Sequence, residues 1–329
     1  MDYHDIYDTA APVFLLRLAE TPPLQRLRRV GMNCGCEYTD FPRFRGLQRY
    51  TRYEHSLGAA LIVWRFTADA AQSISALLHD VATPPFAHVV DFMRGDYLSQ
   101  TATEDDTAAL IRNSTEIGAI LDSLGLMAAQ VEDYHRYPIA DNDTPRLSAD
   151  RLEYTVGNAL NFGFADRAEL AALFADIRVG ENEAGQSELV FQTEACAARF
   201  AALALDCSRV YVSDEDRYAM QRLSELLRDA LAAGVLEPDA MRGDEESVIA
   251  AVCRDESFDK RWADYCAMHR ILRASAPGPG GAWRRINAKR RYIDPYVAGR
   301  GRVSALRPEL GKAMRDFVSV PLDAWLLGV

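Results

Sequence analysis

Two adjacent residues, His79 and Asp80, close the apolar helical run Ser73-Ile74-Ser75-Ala76-Leu77-Leu78 and precede Val81-Ala82-Thr83-Pro84-Pro85. The prolines stop the helix, so both side chains stand at its end. Neighbouring helical residues point about 100° apart, so this imidazole and carboxylate meet only at a small shared target. A metal ion is such a target. The donor pair suits Mn, Fe, Co, Ni or Zn, with Mg less favoured by imidazole. Alone, the pair reads better as a solvated helix end, but two further segments shift the balance. Arg52-Tyr53-Glu54-His55-Ser56-Leu57-Gly58 opens an amphipathic helix with an imidazole near its N-terminus. Ser148-Ala149-Asp150-Arg151-Leu152-Glu153-Tyr154 opens another with a carboxylate in its first turn. By itself Asp150 is an ordinary helix-start acid facing the dipole.

The elements that must position these residues read as helix after helix. Apolar residues recur at helical spacing over 58–71, 106–124, 147–162, 166–177, 193–210 and 215–233. Strand signals are sparse, the best being Leu189-Val190-Phe191 and Tyr292-Ile293-Asp294-Pro295, where a short hairpin could sit. Breakers fall at Pro22-Pro23, Pro84-Pro85, Pro138 and Pro145, and a loop lies at Ala276-Pro277-Gly278-Pro279-Gly280-Gly281. The pattern predicts an all-α, irregular helical bundle over 1–235. A smaller portion, helical and irregular, follows over 236–329.

With 49% hydrophobic residues in 329, the chain can bury a sizeable core. No run approaches the ~18 apolar residues of a membrane span, and the polar start Met1-Asp2-Tyr3-His4-Asp5 does not read as a targeting segment. The six cysteines are scattered, as reduced core thiols of a cytoplasmic protein would be. A net charge of -11 repels a phosphate backbone, so generic nucleic-acid binding is not expected. Against that charge, Arg284-Arg285-Ile286-Asn287-Ala288-Lys289-Arg290-Arg291 is a basic run. It reads as a solvated face, or as a site for a nucleotide polyphosphate or an acidic neighbouring subunit.

Taken together, the motifs resemble the HD-domain superfamily, whose signature is His … His-Asp … Asp. The likeness is nearest to the bacterial HD phosphohydrolases and deoxynucleoside triphosphate triphosphohydrolases. Arg52 through Gly58 is similar to the family's R-F-E-H-S-L-G. Leu78-His79-Asp80 through Pro85-Phe86-Ala87-His88 follows its L-H-D-x-G-H-x-P-F-S-H, and Ala149 through Tyr154 its D-A-D-R-x-D-Y. The resemblance implies an HD-domain helical bundle in which His55, His79, Asp80 and Asp150 hold one divalent metal. It also implies metal-activated water acting on a nucleotide or similar small phosphate ester. Arg52 and Arg151 match positions that contact phosphate, and Tyr154 one that packs beside a nucleotide sugar. A homo-oligomer is implied as well.

The departures concern catalysis. Thr83, a candidate substrate contact, stands where the triphosphohydrolases carry a histidine, and Thr103 where they carry another, with Glu104 preserved. His88 remains, with Asp91 three residues on; this pair could act as a general acid oriented by a carboxylate. Asn33 falls near a family glutamine that reads the sugar. Two alternatives stay open. Extra histidines such as His88 and His135 could hold a second metal, as in HD-type diiron oxygenases. Alternatively, loss of the histidines at Thr83 and Thr103 could leave a catalytically altered nucleotide sensor.

Overall fold

Side-chain caps at the starts of apolar runs set most helix boundaries. The computed structural model describes residues 3–7, 9–95 and 106–329; Thr103 and Glu104 lie outside them. The N-terminal half holds α1 (Val13–Ala19), α2 (Pro22–Arg26), α3 (Arg52–Thr67), α4 (Ala70–Leu78), α5 (Val89–Arg94), α6 (Thr107–Asn113), α7 (Thr115–Ser123) and α8 (Ala149–Asn161). There follow α9 (Arg167–Ala175), β1 (Ile177–Glu181), β2 (Ser187–Phe191), α10 (Glu194–Tyr211), α11 (Asp214–Ala232), α12 (Glu245–Val252) and α13 (Glu256–Cys266). The remainder comprises β3 (Ile271–Ala274), β4 (Arg284–Arg285), β5 (Tyr296–Val297), β6 (Gly301–Arg302), α14 (Val303–Leu306), α15 (Pro308–Ser319) and β7 (Trp325–Gly328).

The run expected over 58–71 is two helices. Ala68 is left-handed at φ 50° and ends α3, and Asp69 caps α4 by accepting from the Gln72 N–H. The run over 106–124 is likewise split by Ser114, which caps α7 through the Ile117 N–H. Ser148 caps α8 through the Arg151 N–H, which fixes where Asp150 stands.

The fold is mostly helical but not all-α. An antiparallel β1–β2 hairpin is extended by β5 and β6 into a four-stranded sheet, and β7 lies between β3 and β4 in a second. Most of these strands are two to four residues long, too short for alternation to register. The segment 292–295 is not itself a strand; β5 begins just after it.

Three apolar clusters hold the molecule. One joins α1, α3, α4 and α7 through Leu18, Ala60, Leu77 and Leu121. A second joins α3, α8 and α10 to the first sheet through Ile62, Leu152, Phe200 and Phe191. The third joins α5, α11 and α13 through Phe92, Leu223 and Phe258. Residues beyond 235 enter these clusters, with Ile286 and Leu326 in the third and Val297 and Met314 in the second. The buried Arg217 reinforces this by donating to the carbonyls of Ile286 and Leu322. The buried Glu188 of β2 accepts from Arg302 at 2.6 and 2.8 Å and from the Leu147 N–H at 3.0 Å. The small sheet is thereby tied to the residue before the α8 cap.

A second buried carboxylate clamps the other side of the site. Glu245 of α12 accepts from the N–H of Gly31 at 2.8 Å, the N–H of Phe86 at 3.3 Å and the Tyr38 hydroxyl at 2.8 Å. Phe86 and Ala87 are both left-handed, at φ 61° and 46°, and form the corner that leads into His88. Glu37 lies beside Glu245, and burial, then that neighbouring charge, push its pKa from 4.5 up to about 8. The folded state therefore binds the Glu37 proton more tightly than the unfolded chain does. Stability should fall as pH rises from 4.5 through about 8. Glu37→Gln is expected to flatten that fall and to raise the urea midpoint at pH 9 relative to the unsubstituted chain. An unchanged slope between pH 6 and 9 would remove this carboxyl from the balance.

Candidate metal centre

Helices α3, α4 and α8 bring the four signature residues together from positions 55, 79–80 and 150. His55 lies one turn into α3, His79 caps the C-terminus of α4, and Asp150 sits in the first turn of α8. The Nε2 atoms of His55 and His79 face each other at 3.2 Å. Asp80 Oδ2 lies 3.8 Å from the first and 3.5 Å from the second. Asp150 Oδ1 lies 3.0 Å and 3.7 Å from the same two atoms. His55, His79 and Asp80 are buried and form a group of metal-ligand geometry among the described residues, with Asp150 against both imidazoles.

The donor chemistry fits a divalent cation. His55 Nδ1 is engaged by Glu153 at 2.5 Å and His79 Nδ1 by the Ala76 carbonyl at 2.7 Å. Both Nδ1 positions therefore carry the ring proton, and two Nε2 lone pairs converge with two carboxylate oxygens. Burial disfavours a charged His55, but the hydrogen bonds to Asp150 and Glu153 outweigh it and lift its pKa to about 10. Burial likewise opposes ionised Asp80, but Arg52 and the two imidazoles hold it well below the usual carboxylate range. Asp150 is held low against its burial by His55 and His79. At neutral pH His55 so placed carries a second proton on Nε2 against Asp150; a divalent cation would take that proton's place, and four acceptor atoms would then face it.

The support for this centre was not read from the sequence. Glu153, fully buried, accepts from four donors: Tyr3 at 2.5 Å, Tyr7 at 3.2 Å, Tyr50 at 2.6 Å and His55 Nδ1. Glycines make the room. A Cβ on Gly58 would stand 2.5 Å from Glu153 Oε1, and one on Gly157 would stand 2.5 Å from the Tyr50 hydroxyl oxygen. Glu153 follows Asp150 by three residues, so one helical face carries both. That spacing was the available signal.

The remaining candidates surround a cavity of about 540 Å³ above the centre. Arg52, Asn33, His88, Arg151 and Tyr154 line it. Arg52 donates to Asp80 Oδ2 at 2.8 Å. Arg151 is held by Asn142 at 2.8 Å, Ser148 at 3.2 Å and Asp141 at 3.2 Å. Burial pushes the Tyr154 hydroxyl up to about 12. Thr83, expected to touch substrate, is instead fully buried and is not among the lining residues. Its hydroxyl donates to Asp80 Oδ1 at 2.8 Å, so it orients a ligand. His88 Nδ1 lies 2.9 Å from Asp91 and His135 Nδ1 lies 2.8 Å from Asp141. Neither belongs to the metal-type group found among the described residues. The basic run divides: Lys289 and Arg291 line the cavity, whereas Arg284 bonds Glu225.

No family model matches the chain. Metal-dependent phosphohydrolase cns2 of Cordyceps militaris is 23% identical over 318 residues, which cover 92% of this chain and 87% of that protein. A phosphohydrolase structure from Bacteroides thetaiotaomicron superposes with a TM-score of 0.60 at 14% identity, covering 95% of this chain and 94% of that one. The chain is thus similar along nearly its whole length to a metal-dependent phosphohydrolase. The same fold recurs in a hypothetical protein from Aquifex aeolicus, with a TM-score of 0.64 at 19% identity over 97% of this chain and 93% of that one. In a metal site, a carboxylate on the far nitrogen of a ligating imidazole fixes tautomer and ring plane. No described helix is long and apolar enough to cross a membrane.

Glu153→Gln keeps the side-chain size but removes the charge facing His55. It is expected to weaken metal affinity by about 10–100-fold, read by competition with a chromogenic chelator. His79→Ala should abolish stoichiometric binding. Full affinity in the Glu153 variant, with the fold intact by circular dichroism, would contradict the assigned support.

Proposed function

We propose that this chain hydrolyses a nucleotide, or a similar small phosphate ester, with one divalent metal held by His55, His79, Asp80 and Asp150. The observation that carries the reading is the pair of facing Nε2 atoms, both Nδ1 positions occupied, beneath a cavity rimmed by guanidinium and ammonium groups. A divalent ion bound there supplies Lewis acidity toward a phosphate oxygen and lowers the pKa of water. The protein's own groups do the rest. Arg151 is pre-oriented by three partners, so its fork meets a phosphate with little loss of side-chain freedom. Lys289 and Arg291 add positive charge from the C-terminal run.

His88 moves a proton in this reading. Burial lowers its pKa, only partly countered by the hydrogen bond to Asp91. With Nδ1–H donating to Asp91, the neutral ring presents Nε2 as an acceptor at neutral pH. It thus takes a proton first and returns it later to the leaving oxygen, which reverses the order expected from a general acid.

A release screen over nucleoside mono-, di- and triphosphates with Mn, Co, Ni, Fe and Mg tests the proposal. Phosphate or polyphosphate release in the chain, and none in Asp80→Ala, is the expected result. His88→Gln should keep its metal and lose about 10²–10⁴-fold in kcat. Metal binding without release from any ester would replace hydrolysis with nucleotide sensing.

A further inference from the structure

Helix α8 works as a ruler along the cavity. Asp150, Tyr154, Asn158 and Phe162 follow one another at four-residue intervals, and all four line it. At 1.5 Å per residue, Asn158 stands about 12 Å along the helix axis from the metal ligand Asp150. The corner between α10 and α11 meets it there. Tyr211 accepts from the Asn158 amide nitrogen at 2.7 Å, and Asp216 follows in the first turn of α11.

This far end differs in kind from the metal end. Asn158 and Asp216 are 4% and 8% exposed, yet Asn158 Oδ1 and Asp216 Oδ2 have no hydrogen-bond partner among the described residues. Asp216 Oδ1 already faces the Cys36 thiol at 3.7 Å. Unsatisfied buried oxygens of this kind call for a ligand that completes them. Aromatic rings line the same cavity: Phe44 stands edge-on to Phe162 with centroids 6.5 Å apart, and Tyr154 to Tyr211 at 6.3 Å. Flat apolar walls around two orphan oxygens suit a planar heterocycle that brings N–H donors. Burial also drives the Asp216 carboxyl well above the usual carboxylate range, which suits a neutral ring and not a phosphate.

We propose that Asn158 and Asp216 form the base-reading end of the cavity and select nucleotides whose heterocycle carries an exocyclic amino group. The proposal rests on the phosphohydrolase reading, since the scissile phosphate at the metal sets which part of the substrate reaches this end. An amino group satisfies an orphan oxygen. At Asn158 Oδ1 a carbonyl in its place sets oxygen against oxygen and leaves both unpaired, a difference that polar sites convert into strong discrimination; the neutral Asp216 carboxyl can donate as well as accept and adds a contact to either member.

The test compares adenosine with inosine nucleotides and cytidine with uridine nucleotides, each as mono- and triphosphate with Mn. The chain should favour the amino-bearing member of each pair by tenfold or more in kcat/KM. Asn158→Leu should bring that ratio to within about threefold of unity, with a melting curve showing that the variant folds. A ratio near one in the unsubstituted chain, or a ratio preserved in Asn158→Leu, overturns the proposal. Should no ester be hydrolysed, the phosphohydrolase reading fails by itself. Calorimetric binding of the same nucleotides then decides the base preference, and equal affinities overturn it.

Discussion

The carboxylate of Glu153 is the constraint around which the site is built. One fully buried anion receives hydrogen bonds from three tyrosines and one imidazole. A buried carboxylate is tolerable only when its lone pairs are met by donors, and here the donors come from distant parts of the chain. Tyr3 and Tyr7 bring in the N-terminal segment, Tyr50 the approach to α3, and His55 the metal centre itself. Gly58 and Gly157 exist as gaps because a Cβ at either would collide with this cluster. The anion therefore fixes the His55 tautomer, its ring plane and the separation of α3 from α8 in a single interaction. Because it lies on the same helix as Asp150, the spacing of ligand and support is set by the α8 backbone.

Around that anchor the cavity combines different chemistries: the candidate cation site, the basic Arg52, Arg151, Lys289 and Arg291, aromatic rings, and Asn158 and Asp216, each with an unpaired oxygen. On the proposed reading, a substrate with an anionic head and a neutral planar tail would be oriented by these groups before any chemistry occurs. The clamp formed by Glu245 on Gly31 and Phe86 keeps the left-handed corner in place, and with it the His88–Asp91 pair.

Much of the candidate centre was legible in the sequence because its proposed ligands lie at or near helix ends, where caps and prolines mark positions sharply. His79-Asp80 before Pro84-Pro85, and Asp150 after Ser148, are of this kind, and the structure gathers them with His55. Glu153 was written into the same motif but read only as part of a pattern. Its tyrosine donors share no spacing, and only tertiary packing brings residues 3, 7 and 50 to one carboxylate. Asn158 and Asp216 were invisible for a related reason, since an unsatisfied oxygen is a property of surroundings. Of the sheets only β2 was signalled, at Leu189-Val190-Phe191; the other strands, two to five residues long, carry too few alternations to stand out from helical sequence. Thr83 shows the converse: a position inferred from likeness to touch substrate turns out to brace Asp80.

Anomalous diffraction from a manganese-loaded crystal tests the central claim most directly. The account predicts one manganese peak per chain, within bonding distance of His55 Nε2, His79 Nε2, Asp80 and Asp150, with Glu153 on the far side of the His55 ring. Two peaks, or a single peak bonded elsewhere, would contradict it.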